Sequence, residues 1–271
     1  SFPTRRSSDL MRLAERAASA KIENRNGRQS AAGETMEAGD AYTIDAIYIS
    51  GMLTSNVGLY ELPHVTAPVT LRDIARNVRD VAFADIFGTD ALKTPLSFIP
   101  GVKNMDGADV TLCNLADMDM MRGEEVETFA ILEALGSAAQ EGGAAEGQKG
   151  LLLLLPGSRT KFIAVDRDGR ITGCLTSLTG ELLQIVSQYS VVADAVERDY
   201  VRGVPDREFL LAGYRSVRET GSFGRAAFLT RLSRTFVTDK QSKNASFLLG
   251  ATLANDIAAL KGSALCQRLS D

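Results

Sequence analysis

The chain has 271 residues, of which 45% are apolar and 24% charged, enough for the core of one large or two small domains and too apolar for a disordered chain. A formal net charge of -4 argues against nucleic acid or an anionic membrane as the main partner, and no apolar run reaches the roughly 20 residues of a membrane span. His64 is the single histidine, so a multi-histidine metal site is excluded and any Ser-His-Asp or Cys-His mechanism would have to run through it. Cys113, Cys174 and Cys266 are scattered, without pairing or metal-ligand spacing, and read as buried thiols of a reducing cytoplasm.

Residues 1–10, SFPTRRSSDL, resemble translated adapter sequence and are set aside as a leader. Residues 11–40 are weakly patterned, with a short helix over 13–20. Residues 44–49, IDAIYI, read as a strand, and the polar loop 50–58, SGMLTSNVG, follows it. A loop at the carboxyl end of a buried strand is the usual ligand position in open α/β sheets. Ser50, Thr54, Ser55 and Asn56 are short donors and acceptors suited to sugar hydroxyls, or they satisfy their own backbone. His64 falls in an extended run between Pro63 and Pro68, as a structural or surface histidine.

Residues 70–81 read as a helix opened by Thr70 and Asp73, a variant of the capping box, with Leu71, Ile74, Ala75 and Val78 on its apolar face. Residues 96–99 and 110–113 read as short strands around the loop that carries Lys103. From Glu124 a helix buries Val126, Phe129, Ile131, Leu132 and Leu135. Glu124 and Glu125 stand in its first turn, where the positive end of the helix favours carboxylates, and Arg122 is adjacent. Two acids and an arginine there fit either a base and magnesium-water site beside an anchoring cation, or an ordinary dipole-favoured first turn.

Residues 136–150, GSAAQEGGAAEGQKG, read as a flexible connection and a domain boundary. The five leucines 151–155 read as a buried strand ended by Pro156-Gly157. Ser158, Arg159, Thr160 and Lys161 form the next turn, FIAVD a second strand, and Asp168-Gly169 a tight turn into ITGCL. Such a tip offers N–H groups, hydroxyls and a cation to a phosphate, or it is a plain surface turn. Helices follow from 177–181 through about 196, then over 206–220, 224–236 and 239–260. Arg225, Arg231 and Arg234 on the third of these form an exposed basic face. The chain stops soon after, at ALCQRLSD, and reads as a piece of a longer protein.

Four segments in this order, GMLTSNVG at 51–58, DMMRGEE at 119–125, LPGSRTKF at 155–162 and LTGELL at 178–183, resemble the 2-dehydro-3-deoxygalactonokinase family. These are sugar-acid kinases of the actin, hexokinase and heat-shock ATPase superfamily, and the resemblance runs from about 44 to 260. It implies an α/β fold of two ribonuclease-H-like domains around a cleft, incomplete at both ends. Residues 11–150 would be a partial first domain on the sugar-acid side and 151–271 a partial second domain with the ATP phosphate hairpin.

The same resemblance implies Glu124 as general base, with Asp119 or Glu125 as alternatives. Gly51, Met52, Thr54, Ser55, Asn56 and Arg122 would bind the sugar acid. Gly157, Ser158, Arg159, Thr160, Lys161, Thr179 and Gly180 would face the ATP phosphates. Arg159 departs from the family's usual histidine in the hairpin; it keeps a donor but is longer and permanently charged. ATP and Mg²⁺ are the implied cofactors, and no metal ligand is directly assigned. The implied reaction phosphorylates O6 of 2-dehydro-3-deoxy-D-galactonate in cytoplasmic galactonate breakdown, by a possible homodimer. Another small keto-deoxy sugar acid as substrate, or a non-catalytic nucleotide- or sugar-binding relative, is the alternative. Residues 11–271 alone are expected to be inactive and poorly soluble, because one phosphate clamp and the first strand pair are missing.

Overall fold

The computed structural model of the chain describes residues 44–142 and 150–267. The leader over 1–10 and the helix over 13–20 lie outside these residues. The chain divides into two compact units. One comprises residues up to Val102 with Met121–Glu133; the other comprises Lys103–Met120 with Ala134 onward. The architecture is mixed α/β.

In the first unit, β1 (Ile47–Ile49) lies parallel to β4 (Leu96–Phe98), and β3 (Arg79–Val81) pairs antiparallel on the other side of β4. Ile49, Leu62, Phe83, Leu96 and Phe98 form the core under this sheet. Phe98 is fully buried, worth about 2–3 kcal/mol over exposure. Helix α1 (Leu71–Arg76) opens with both halves of a capping box, Thr70 accepting from Asp73 N and Asp73 accepting from Thr70 N. It stops five residues before the expected end at 81, where β3 stands instead. Asn77 caps the helix, its side-chain amide donating back to Asp73 O at 2.8 Å. A short helix α2 (Phe83–Phe87) then places Phe83 in the core.

The small strands β2 (Val65–Thr66), β5 (Val102–Lys103) and β6 (Met120–Met121) form a second sheet in the order β2-β5-β6. The chain leaves the first unit after Val102 and returns at Met121. The strand expected over 110–113 is absent. Asn114 Oδ1 accepts from both Thr111 N and Thr111 Oγ1, which curls this segment into a turn.

Helix α3 (Glu124–Gly142) continues through the first half of the expected connection over 136–150; residues 143–149 lie outside the described set. In the second unit β7 (Leu151–Leu155), β8 (Thr160–Val165) and β9 (Ile171–Ser177) make an antiparallel sheet in that order. β8 is buried along its whole length. β7, expected to be buried, is an edge strand with Leu151, Leu152 and Leu154 exposed. Among the described residues it pairs with β8 alone, so its leucines lack the cover that the central strand has.

Helices α4 (Thr179–Tyr189), α5 (Arg207–Thr220), α6 (Phe223–Phe236), α7 (Gln241–Gly262) and α8 (Ala264–Gln267) complete the unit. α7 is buried mainly through its middle, between Asn244 and Asp256, and two glycines explain how closely α5 meets it. A Cβ on Gly213 would lie 1.9 Å from Phe247 O, and one on Gly250 would lie 1.9 Å from Leu210 O. Only glycine lets the two backbones approach this far. Of the cysteines, Cys174 is buried and Cys266 half-buried, but Cys113 is exposed, contrary to expectation.

Candidate functional site

The first unit brings together the loop after β1 and the turn before α3. Residues Gly51–Thr54 form one 3-10 turn, and both Gly51 and Gly123 have positive φ, 72° and 114°. A Cβ on Gly123 would sit 3.3 Å from Gly51 Cα. Two glycines that each need the left-handed region therefore meet back to back, and this contact sets the 50–58 loop against the first turn of α3.

Arg122 ties the same two segments. Its Nη1 donates to Thr54 O at 2.5 Å and Thr54 Oγ1 at 2.7 Å; its Nη2 donates to Leu62 O at 2.8 Å and His64 Nδ1 at 3.1 Å. A guanidinium has no acceptor, so His64 Nδ1 accepts and its proton is on Nε2. Burial lowers the pKa of Arg122, while the charges of Glu125 and Glu61 raise it. Thr54 is fully buried and its hydroxyl also donates to Gly51 O at 3.0 Å. Ser55 spends its hydroxyl on Met52 O at 2.7 Å. Of the predicted substrate residues Met52 and Asn56 have exposed side chains, and Val57 beside them is exposed too.

The two glutamates differ. Glu124 is half-buried, and its Oε2 accepts from Arg122 N at 3.0 Å. Glu125 is fully buried, and both its oxygens accept from Gly123 N, at 2.9 and 2.8 Å. Burial pushes the Glu125 carboxyl up from 4.5 to about 7; the adjacent Glu124 charge adds to this, and the backbone N–H bonds and Arg122 oppose it. A group that touches no solvent cannot reach a substrate proton directly, whereas Glu124 is accessible.

The raised pKa has a consequence for stability. Unfolded, Glu125 ionises near 4.5; folded, it holds its proton to about 7. Between those values the folded state binds more protons, so stability falls as pH rises from 5 to 7 and then levels off. A gap of this size corresponds to ~3 kcal/mol. Glu125→Gln is expected to flatten the dependence of Tm on pH over that range, as scanning calorimetry at pH 5, 6 and 7 would show.

The predicted phosphate residues and Asp119 belong to the second unit. Gly157, Ser158 and Arg159 are exposed at the turn between β7 and β8. Thr160 and Lys161, the first residues of β8, are buried. Lys161 Nζ donates to Met120 O at 2.5 Å and Thr176 Oγ1 at 2.6 Å, with Asp119 3.8 Å away. Asp119 accepts from Thr176 N at 2.5 Å and Thr176 Oγ1 at 2.8 Å. Lys161 and Asp119 thus tie β8 and β9 to the segment before β6.

The turn rests on the start of α4. Glu181 N donates to Ser158 O at 2.9 Å, and Arg159 pairs with Glu181 at 3.6 Å on the surface. A Cβ on Gly180 would lie 2.6 Å from Gly157 O and 2.8 Å from Ser158 Cα, so glycine is needed there for close approach. Behind the turn, Asp256 of α7 accepts from Ser177 Oγ at 2.5 Å and Thr179 Oγ1 at 2.6 Å.

The arrangement agrees with a match at the level of sequence: the family model for 2-keto-3-deoxy-galactonokinase covers residues 5–270. The chain belongs to this family. A curated relative, Probable 2-dehydro-3-deoxygalactonokinase DgoK1 of Rhizobium meliloti (strain 1021), is 26% identical over 219 residues, which is 79% of this chain and 56% of the relative. The chain therefore spans little more than half the length of that relative. A crystal structure from Sinorhizobium meliloti whose name also gives 2-dehydro-3-deoxygalactonokinase is similar in fold, with a TM-score of 0.64. That match covers 94% of this chain and 72% of the other at 19% identity, and it bears on the fold alone.

In this member of the 2-keto-3-deoxy-galactonokinase family His64 is the structural residue expected, bonded to Arg122. Asp256 is the group that sequence reasoning missed. Spacing gave no signal for it, since the polar residues Asn244 and Thr252 share its four-residue spacing on α7.

Proposed function

We propose that this chain handles the sugar acid and the ATP phosphates in a kinase that phosphorylates O6 of 2-dehydro-3-deoxy-D-galactonate. The observation that carries this reading is the first unit's junction, where the 51–58 loop meets the turn bearing Glu124 through Gly51, Gly123 and Arg122. Phosphoryl transfer asks a protein mainly for positioning and charge stabilisation. A junction of carboxylate, glycine and braced loop suits that demand.

Glu124 is the general base. It takes the proton of the substrate O6 hydroxyl as that oxygen bonds to the γ-phosphorus; the bond to the β,γ-bridging oxygen breaks and ADP leaves. Glu125 keeps the turn in shape through Gly123 N. Gly51, Met52, Thr54, Ser55 and Asn56 form the sugar-acid site, with Asn56 and the loop N–H groups toward the ligand and Arg122 holding the loop from behind. Gly157, Ser158 and Arg159 meet the ATP phosphates, and Thr160, Lys161, Thr179 and Gly180 support that turn.

Among the described residues no group of three His, Cys, Asp or Glu side chains forms a metal position. A Mg²⁺ would enter with the ATP phosphates and would supply neutralisation of their charge; no residue of this chain is assigned to hold it. Two ribonuclease-H-like domains, a cytoplasmic location, galactonate breakdown as the pathway and a homodimer belong to the same proposal. None of the described helices is long and apolar enough to cross a membrane.

The regiochemistry has a direct test. The complete gene product is incubated with MgATP and 2-dehydro-3-deoxygalactonate and the product followed by phosphorus NMR. A phosphomonoester coupled to two methylene protons is expected. Coupling to one proton would place the phosphate on a secondary hydroxyl and contradict the assignment of O6.

A further inference from the structure

Asp256 lies 77 residues from Thr179 in sequence and is 2% exposed. Its two oxygens each accept one hydroxyl proton, Ser177 at the end of β9 and Thr179 at the start of α4. A buried carboxylate is costly to leave unpaired, and hydroxyl bonds to an ionised carboxylate are short and strong. The two residues flank Leu178, whose side chain is exposed and gives α4 no cap. The β9–α4 junction is therefore pinned from beneath by α7.

What the junction carries is the turn 157–158. Gly180 has no room for a side chain against Gly157 O and Ser158 Cα, and Glu181 N holds Ser158 O. A displacement of Thr179 would be passed to its neighbours Gly180 and Glu181, and from them to Gly157 and Ser158. The hydroxyl chemistry adds a point. Thr179 and Ser177 each have one proton and both protons go to Asp256, so neither hydroxyl can donate to a phosphate. Thr179 then serves the phosphate turn through its position and not as a donor.

We infer that Asp256 is a positioning residue for the phosphate-binding turn, acting through Thr179 on Gly157 and Ser158. This rests on the reading of that turn as the phosphate site. The chain Asp256, Thr179, Gly180, Ser158 is continuous and lies wholly within the second unit.

The test measures dissociation constants of the complete gene product by calorimetry, with tripolyphosphate, ADP and the keto-deoxy acid as separate ligands. Asp256→Asn is expected to weaken tripolyphosphate and ADP by about tenfold and to leave the acid unchanged. Thr179→Val should do the same. The double variant should lose no more than either alone, because both break one path. Unchanged tripolyphosphate affinity in Asp256→Asn, or losses that add in the double variant, would overturn the role of Asp256. If Asp256→Asn does not fold, Thr179→Val carries the test, and unchanged phosphate affinity in it overturns the proposal. Failure of the unsubstituted protein to bind tripolyphosphate or ADP would instead overturn the reading of the turn itself, and the proposal with it.

Discussion

Glu124→Gln in the complete gene product is expected to lower kcat by roughly a hundredfold or more, the usual scale for removing a general base, if Glu124 has the proposed role. Glutamine has nearly the same shape and keeps an oxygen to accept from Arg122 N, where Glu124 Oε2 sits at 3.0 Å. The turn before α3 should therefore stay in place, and KM for the keto-deoxy acid should change little. The comparison with Glu125→Gln sharpens the point. Glu125 is fully buried and holds Gly123 N, so its loss should act on stability and its pH dependence more than on turnover. Steady-state kinetics on both variants separate the roles. Near-parent kcat in Glu124→Gln would remove Glu124 from the chemistry.

Arg122→Ala is expected to have the other large effect. The side chain satisfies Thr54 O, Thr54 Oγ1, Leu62 O and His64 Nδ1, and truncation leaves the Thr54 group, fully buried, without its donor. The cost to stability is expected to be about 2–4 kcal/mol. The apparent constant for the keto-deoxy acid should rise by about tenfold or more while that for ATP changes little, since the loop loses its brace. Arg122→Lys should not rescue either property, because one ammonium cannot reach four acceptors spread over a planar fork. Kinetics and denaturant unfolding on the two variants check this. Weakened acid binding with unchanged stability would mean instead that Arg122 clamps the substrate carboxylate itself.

What the sequence made legible was local. The capping box of Thr70 and Asp73, the stop at Pro156-Gly157 and the turn at Asp168-Gly169 depend on neighbouring residues, and each stands where it was expected. The helices over 206–220, 224–236 and 239–260 also stand within two residues of expectation, but the first ends at Tyr189 and not near 196, because Ser190 is extended and a separate 3-10 turn covers Ala193–Val196. Burial of the five leucines did not follow, because whether a strand lies at the centre or the edge of a sheet depends on its partners. The end of α1 was missed because one amide, Asn77, turns back on Asp73. The brace of Arg122 on Thr54 and the seat of Asp256 under Thr179 join residues 68 and 77 apart. Spacing along the chain carries no trace of either. Resemblance in four short segments pointed to the family; it did not distinguish Lys161 buried on Met120 O from a lysine facing phosphate.

The central claim is that the family's chemistry runs at the Glu124 turn on a keto-deoxy sugar acid. One measurement addresses it most directly: ADP release by the complete gene product, coupled to NADH oxidation, with 2-dehydro-3-deoxygalactonate offered beside the corresponding neutral sugar. The account predicts turnover that requires the acid, falls by roughly a hundredfold or more in Glu124→Gln, and is absent with the neutral sugar. Equal turnover in Glu124→Gln, or ADP release that does not depend on the acid, would contradict it.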